Sequence, residues 1–257
     1  MKNNSIDDSI CPLCQKKNHC QARNTALSCW CHQKVIPEEL IARVPEELKN
    51  KTCICQSCVD AYHKKKYQQK CQTKKDLVDK GIAQATIERG QVLLITGNGK
   101  GKSTAGFGVV LRSVGHGYKA AVAQFIKGQW ACGERNLLLK HDVPFSVMKT
   151  GFTWDTQDKA GDIKAAEQVW QEIKPFLSDE RYHIVLLDEL TYMLSYQYLD
   201  KEEVLTTIAN RPEEQTVVIT GRGAISELKE VADTVSEIKD TKHAYRQGLK
   251  ARKGIDW

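Results

Sequence analysis

The sequence predicts an α/β fold with a mostly parallel β-sheet, preceded by a small cysteine-rich module. From residue 91 onward, short apolar runs alternate with helical patterns, and a glycine-rich loop joins the first run to the first helix. Strands that alternate with helices form a parallel sheet covered on both faces. Eight of the ten cysteines lie between positions 11 and 58, which sets the N-terminal segment apart. We therefore expect a cysteine-rich module in residues 1–59, a basic linker with a helix in 60–90 and the α/β domain in 91–257.

The cysteine-rich module is expected to bind zinc. Closely spaced cysteines bring thiolates onto one tetrahedral ion, and metal binding supplies folding energy that so short a segment cannot obtain from an apolar core. Eight thiolates suffice for two sites of four, with His19 and His32 as substitute ligands. The candidate zinc ligands are Cys11, Cys14, Cys20, Cys29, Cys31, Cys53, Cys55 and Cys58.

Disulfide bonds and an iron–sulfur cluster are the alternatives to zinc in this module. The first ten residues include Asp7 and Asp8 and have no apolar stretch, so we do not expect them to form a secretory signal. No run approaches the ~18 apolar residues that a transmembrane helix requires. We expect a cytoplasmic protein without a membrane-spanning segment, a setting in which disulfides are uncommon.

A basic stretch over residues 61–75 accounts for the net charge of the whole chain. The net charge is +6, and this stretch holds no acidic residue and six lysines, namely Lys64, Lys65, Lys66, Lys70, Lys74 and Lys75. The rest of the chain is balanced, which disfavours a nucleic-acid-binding surface spread over the fold. We expect a solvated linker here, followed by a helix over 76–89 that enters the first strand.

Four apolar runs and four helical patterns make up the predicted α/β domain. Each run has the length of a buried strand. The predicted strands are 91–96, 120–125, 183–187 and 216–220, and the predicted helices are 102–114, 163–177, 201–209 and 225–232. The residues that follow the first and third of these strands point to a function.

A phosphate-binding loop follows the first strand and opens the first helix. Glycines let the backbone turn its N–H groups inward, the helix N-terminus adds positive potential, and the Lys102 ammonium pairs with phosphates. The Ser103 hydroxyl is the expected Mg²⁺ ligand. The loop reads G-x3-G-K-S rather than the usual G-x4-G-K-[ST], and a Rossmann motif fails because Lys102 occupies the third-glycine position. The candidate ATP-binding residues are Gly97, Asn98, Gly99, Lys100, Gly101, Lys102, Ser103 and Thr104.

Two acidic residues complete the predicted nucleotide site. Asp188 and Glu189 directly follow the apolar run that ends at Leu187, and either carboxylate at the end of a strand is suited to hold Mg²⁺. Arg222 follows the end of the fourth strand and is a further candidate phosphate contact.

Residues 74–257 resemble the P-loop type of ATP:corrinoid (cob(I)alamin) adenosyltransferase, whose own loop has the form found here. The N-terminal part, with CPLCQKKNHC, CWC and CICQSC, is similar to the cysteine-rich CWC family. The stretches that carry the first resemblance are ITGNGKGKST (95–104), LRSVGHGYK (111–119), QFIKGQWACGERNLL (124–138), GFTW (151–154), LLDELTYML (186–194), ITGRGAISELKEVADTVSEI (219–238) and KHAYRQGLKARKGIDW (242–257).

The resemblance implies a three-layer P-loop NTPase-like fold, a homodimer, and transfer of the 5′-deoxyadenosyl group of ATP to the cobalt(I) of a corrinoid with release of triphosphate. It implies Mg²⁺ or Mn²⁺ as cofactor, cobalamin or a corrinoid precursor as substrate, and an electron-donating reductase such as a flavoprotein as partner. Lys102 is then catalytic through the triphosphate. Phe152 and Trp154 match family residues that crowd the lower face of the corrin, displace its axial base and leave a four-coordinate cobalt(II) that is easier to reduce.

Two other functions remain open on the residues alone. A different P-loop ATPase or phosphotransferase would form ADP rather than triphosphate. A nucleotide-switched partner-binding protein would use the cysteine module and the lysines as its contact surface, and its binding to a nucleic acid would depend steeply on salt.

Overall fold

The computed structural model describes residues 6–20, 29–126, 132–150 and 158–256. The chain divides into two compact units, Met1–Thr86 and Ile87–Trp257. Within the described residues, no helix combines the length and the apolar character that crossing a bilayer requires.

The first unit is built from short turns around a small core and one long helix. Its helices are α1 (Glu38–Ile41) and α2 (Gln56–Gln84), with 3-10 turns at Trp30–Gln33 and Glu46–Leu48. The buried core of this unit consists of Cys11, Leu40, Val44, Ile54, Cys55, Val59 and Tyr62. Because two cysteines belong to so small a core, the cysteines contribute directly to the packing of this unit.

Helix α2 differs from the helix predicted over 76–89, whose bounds were wrong at both ends. It starts 20 residues earlier, at Gln56, and it ends at Gln84, after which Ala85 is extended. Its first turns are anchored because Val59 and Tyr62 are its buried residues. The lysines and glutamines that follow are good helix formers, and a Cβ at exposed Gly81 would meet nothing within 4 Å. The polar composition suggested a linker, whereas helix propensity and the anchored first turns give a continuous helix.

The second unit is an α/β fold with a six-stranded parallel sheet, which confirms the predicted fold class. The strand order is β3-β2-β4-β5-β1-β6, and every pairing is parallel. The strands are β1 (Val92–Thr96), β2 (Lys119–Gln124), β3 (Phe145–Val147), β4 (Tyr182–Asp188), β5 (Thr216–Thr220) and β6 (Thr234–Glu237). The helices are α3 (Lys102–Gly115), α4 (Gly133–Leu138), α5 (Lys159–Leu177), α6 (Leu190–Ser195), α7 (Lys201–Ala209) and α8 (Ser226–Val231).

All four predicted strands and all four predicted helices of this unit are present, with ends that move by at most a few residues. Strands β3 and β6 and helices α4 and α6 were not predicted. These elements have three to six residues, too few for a hydrophobic period to show.

Both faces of the central strands are buried, which explains why these strands read as continuous apolar runs. In β4, Val185 and Leu187 pack into a cluster that includes Trp170 of α5. Leu186 of the same strand packs on the other face, in a cluster with Phe107 of α3. Alternate residues of one strand therefore serve the two helical layers.

The strand order fixes the layout of the carboxyl edge of the sheet. Strand β5 lies between β1 and β4, so the loop after β1 and the acids after β4 are two strand spacings apart, about 10 Å. Thr220, the last residue of β5, pairs with Ile95 of β1 and stands between the two halves of the predicted site. Ligands of open α/β sheets bind at this edge.

Candidate functional site

The glycine-rich loop is held against the chain segment that follows β6. The Gly99 N–H donates to the Ile238 carbonyl oxygen at 2.8 Å. A Cβ on Gly97 would lie 2.5 Å from the same oxygen, and one on Gly99 would lie 2.6 Å from the Lys239 carbonyl oxygen. Gly101, the N-cap of α3, has a φ of 113°, a conformation that glycine adopts without steric cost. The loop therefore needs glycine for close backbone packing at two positions and for its turn into the helix at a third.

Lys102 is the first residue of α3 and is only 6% exposed. Its Nζ donates to the Gly99 carbonyl oxygen at 2.9 Å. Burial is the main effect that lowers the pKa of the Lys102 ammonium; Glu189 and Asp188 act to raise this pKa, and Arg222 acts with burial. The predicted lysine, both predicted acids and the predicted arginine therefore lie within electrostatic range of one another.

The two predicted acids have different surroundings. Asp188 is fully buried at the end of β4; its Oδ1 accepts a hydrogen bond from Thr220 Oγ1 at 2.7 Å and its Oδ2 one from Gln124 Nε2 at 3.3 Å. Glu189 has a left-handed backbone with a φ of 63° and is the N-cap of α6. Its N–H donates to Thr220 Oγ1 at 2.9 Å. One hydroxyl, that of Thr220, thus connects the two acids.

The turn after β5 brings Arg222 to the same edge. Thr191 Oγ1 donates to the Arg222 carbonyl oxygen at 2.7 Å. Gly221, with a φ of 137°, allows this contact, because a Cβ there would lie 2.0 Å from Thr191 Oγ1. Gln124, Thr191 and Thr220 were not predicted from the sequence as site residues. The signal for Gln124 and Thr220 is a polar residue at the last position of a strand whose interior is apolar.

The remaining predicted nucleotide-site residues lie in the loop and the first turn of α3. Ser103 is half-buried, and Asn98 and Thr104 are exposed. Exposed Lys100 pairs with Asp256 near the C-terminus, with an Nζ–Oδ1 distance of 2.5 Å. The predicted corrin-binding residues Phe152 and Trp154 lie outside the described residues.

The residues at this edge fit a hard divalent cation. Ser103 offers a hydroxyl, and Asp188 and Glu189 offer carboxylate oxygens, which are the ligand types that Mg²⁺ prefers. Asp188 is a fully buried carboxylate, and a buried anion needs charge compensation. The donor set is therefore suited to Mg²⁺ held together with nucleotide phosphates.

In the first unit, four of the predicted zinc ligands form a compact cluster. The Sγ atoms of Cys11, Cys14, Cys55 and Cys58 all lie within 4.8 Å of one another. The Cys14–Cys55 sulfur distance is 3.5 Å and the Cys11–Cys58 distance is 3.9 Å. Four thiolates around zinc at about 2.3 Å each would have sulfurs about 3.8 Å apart. The cluster could therefore hold a metal ion with little rearrangement.

One thiol of this cluster has a lowered pKa, whereas burial and hydrogen bonds between thiols raise the pKa values of Cys14 and Cys58. Burial acts to raise the pKa of Cys55, but hydrogen bonds from Ser57 and from the Cys58 backbone outweigh it and lower the pKa to about 6. A thiolate is the form that binds metal.

The substitute ligand His19 is exposed, and the side chain of His32 lies outside the described residues. The other four predicted zinc ligands, Cys20, Cys29, Cys31 and Cys53, line one cavity of this unit.

Comparison with known proteins yields two family matches and several close relatives. Residues 11–60 match the family described as Cysteine-rich CWC. A corrinoid adenosyltransferase of Escherichia coli strain K12 is 55% identical over 192 residues, covering 75% of this chain and 98% of that protein. The corrinoid adenosyltransferase CobA of Salmonella typhimurium strain LT2 is 53% identical with the same coverage. A corrinoid adenosyltransferase of Pseudomonas aeruginosa is 45% identical over 194 residues, covering 75% of this chain and 96% of that protein.

The α/β unit accounts for the second family match. Residues 88–257 match the family described as ATP:corrinoid adenosyltransferase BtuR/CobO/CobP. This segment contains the loop, both acids and Arg222. With a match over more than half of its length and relatives aligned over nearly all of theirs, the chain belongs to the ATP:corrinoid adenosyltransferase family.

Proposed function

We propose that this chain transfers the 5′-deoxyadenosyl group of ATP to the cobalt(I) of a corrinoid and releases triphosphate. The observation that carries the proposal is the arrangement of buried Lys102 and the glycine-rich loop beside two strand-end acids, in a chain that belongs to this family. The substrate is cobalamin or a corrinoid precursor such as cob(I)yrinic acid a,c-diamide.

The proposed reaction is a nucleophilic substitution at carbon. The cobalt(I) electron pair forms the bond to C5′. The bond between C5′ and its oxygen breaks, and the electron pair of this broken bond leaves with the triphosphate. Cobalt is formally oxidised by two electrons, and no proton is transferred. The protein therefore needs no general base; its work is to position ATP and to stabilise the charge of the leaving group.

The residues of the site divide this work. The backbone N–H groups of the loop and the Lys102 ammonium bind the triphosphate. Ser103, with Asp188 or Glu189, would hold Mg²⁺ or Mn²⁺, which supplies further charge neutralisation when bound. Arg222 adds a second cation near the phosphates. Phe152 and Trp154 are proposed to contact the lower face of the corrin, which rests on the resemblance of GFTW (151–154) to the family.

The proposal extends to the setting of the enzyme. Zinc would occupy the cluster of Cys11, Cys14, Cys55 and Cys58, whose sulfur distances support it. An electron-donating reductase such as a flavoprotein would supply cobalt(I), and the enzyme would act as a homodimer in the cytoplasm. The reductase and the homodimer are what the family implies, whereas zinc and the cytoplasm are expectations from the sequence; all four points are tested separately from the reaction.

An anaerobic assay with ATP, Mg²⁺ and chemically reduced cobalamin tests the proposed reaction. We expect loss of the cobalt(I) absorbance to be matched by equal amounts of adenosylcobalamin and triphosphate. Release of ADP and phosphate without a corrinoid product would overturn the proposal in favour of an ATPase or phosphotransferase.

A further inference from the structure

Four cysteines of the first unit lie outside the compact cluster but close to one another. Cys20 Sγ and Cys53 Sγ are 3.2 Å apart. Burial and then the neighbouring Cys29 raise the pKa of the Cys31 thiol, and, after burial, Cys20, Cys29 and Cys31 all act on the pKa of Cys53, so the four thiols are near neighbours. All four side chains line a single cavity of about 400 Å³. The pairs Cys20–Cys53 and Cys29–Cys31 therefore line the same cavity.

We propose that Cys20, Cys29, Cys31 and Cys53 form a second four-thiolate site that binds a soft divalent metal ion, with zinc as the expected ion. The module would then bind two ions, the first at Cys11, Cys14, Cys55 and Cys58. This inference concerns the N-terminal unit and does not depend on the adenosyl transfer proposed for the other unit.

The Cys20–Cys53 sulfur distance is compatible with two ligands of one ion. A tetrahedral zinc–thiolate site has sulfurs about 3.8 Å apart, and the Cys20–Cys53 pair is already closer than that. The two pairs are less compact than the first cluster, so closing the site requires the Cys29–Cys31 pair to move toward the Cys20–Cys53 pair. The four cysteines line one cavity, and we expect the two pairs to close around an ion there.

The same arrangement fits disulfides poorly. A bond between Cys20 and Cys53 would leave Cys29 and Cys31, which are separated by a single residue, to pair with each other in a short ring, although disulfide geometry is strict. A tetrahedral ion uses all four thiols at once. It would also link the 3-10 turn Trp30–Gln33 to the segment before α2, in a unit whose apolar core is small.

Metal content of the full-length chain tests the proposal. The protein is purified under reducing conditions without corrinoid, loaded with zinc, desalted and analysed for zinc per chain. We expect about two ions for the native chain and about one for the Cys31→Ser/Cys53→Ser variant. The Cys14→Ser/Cys58→Ser variant should also keep about one, because the two sites use different ligands. Cys71→Ser is the matched control, since exposed Cys71 on α2 belongs to neither group, and it should keep both ions.

Alkylation of the native chain gives a readout that does not depend on how the variants fold. In the zinc-loaded protein we expect Cys20, Cys29, Cys31 and Cys53 to be protected and Cys71 to react; a chelator should release all four together. One zinc per chain with these four alkylated would overturn the proposal, as would a Cys20–Cys53 disulfide or iron with acid-labile sulfide. Adenosyl transfer is measured on the same samples, so failure of this proposal and failure of the proposed function are distinguished.

Discussion

Lys102 holds a position in which its charge is available but poorly solvated. Its side chain is buried, burial lowers its pKa, and the nearby carboxylates of Asp188 and Glu189 counteract that effect. A triphosphate would replace the Gly99 carbonyl oxygen as the partner of the ammonium group. Charge interactions are stronger in such a water-poor site than in bulk solvent, so this one side chain should contribute much of the leaving-group stabilisation.

Replacing Lys102 with alanine tests this role. We expect Lys102→Ala to lower kcat/KM for ATP by at least about 100-fold, the size of effect seen when one preorganised charge partner is removed. The control is Lys164→Ala, because Lys164 is exposed on α5 and lies outside the predicted site. Retention of near-native activity in Lys102→Ala would contradict the assignment of the phosphate-binding loop.

Thr220 is expected to be a positioning residue. Its hydroxyl accepts from the Glu189 N–H and donates to Asp188 Oδ1, so removing it disturbs both acids. We expect Thr220→Val to raise the Mg²⁺ concentration required for half-maximal activity by about 10–100-fold, as is usual when a group that orients metal ligands is removed. Thr220→Ser keeps the hydroxyl and should restore the native Mg²⁺ titration. An unchanged titration in Thr220→Val would contradict the positioning role of Thr220.

Helix α3 carries the loop and packs closely on the sheet at a glycine. A Cβ on Gly106 would lie 2.9 Å from Thr220 Cγ2 and 3.0 Å from Leu186 Cδ1, whereas one on Gly108, two residues further on, would meet nothing within 4 Å. The packing of α3 therefore requires glycine at Gly106 but not at Gly108.

These two glycines form a matched pair of variants. Gly108→Ala should raise the free energy of unfolding by about 0.5–1 kcal/mol, because alanine is the better helix former. Gly106→Ala should lower it by about 1–3 kcal/mol through overpacking and should reduce activity as α3 moves away from β4 and β5. Thermal unfolding and the ATP titration measure both effects. Equal shifts in the two variants would contradict the described packing of α3.

The Asp233 carboxylate binds the chain at the start of β1. Its Oδ2 accepts from the Val92 N–H at 2.8 Å and from Arg89 Nη1 at 3.0 Å. The Arg89 guanidinium and, next, the Val92 N–H lower the pKa of Asp233 below its usual value of 3.8. A carboxylate with a lowered pKa stabilises the folded state fully above pH 3.8, and this contribution is lost as the pH falls through the lowered value.

The variant Asp233→Asn should therefore be less stable than the native chain at neutral pH, by about 1 kcal/mol or roughly 2–4 °C in Tm. The difference should shrink as the pH falls below 3.8, where the native carboxyl is also protonated. Thermal melts over an acid pH series measure this difference, with Glu230→Gln, at an exposed position of α8, as the charge control. A difference that stays constant through this range would contradict the role of the Asp233 charge.

At the scale of the whole molecule, the parts of the site that are formed by residues adjacent in the sequence were predicted from the sequence. The loop around Lys102 and the pair Asp188–Glu189 are contiguous motifs that end strands, and a parallel sheet brings such ends together. The roles of Thr220 and Gln124 depend on the strand order, in which β5 lies between β1 and β4 and β2 lies beside β4. No local pattern in the sequence carries that order.

In the N-terminal unit, too, the features that depend on tertiary packing were not predicted. Cysteine spacing identified eight candidate ligands but did not divide them, since Cys53 and Cys55 are two residues apart and belong to different groups. The start of α2 was missed for a related reason. Its first turns are fixed by Val59 and Tyr62 packing in the core of the unit, a tertiary effect that the polar sequence after them does not reveal.

In the proposed reaction, this chain breaks the bond between C5′ and oxygen of ATP rather than a bond to phosphorus. ATP carrying a heavy oxygen isotope in the bridge between C5′ and the α-phosphorus tests it directly in the anaerobic reaction with reduced cobalamin. We expect the label to leave with the triphosphate and the adenosyl group on cobalt to carry none of it. Label retained on a nucleoside product, or labelled ADP with unlabelled phosphate, would mean that the site transfers phosphoryl groups and that the proposed reaction is wrong.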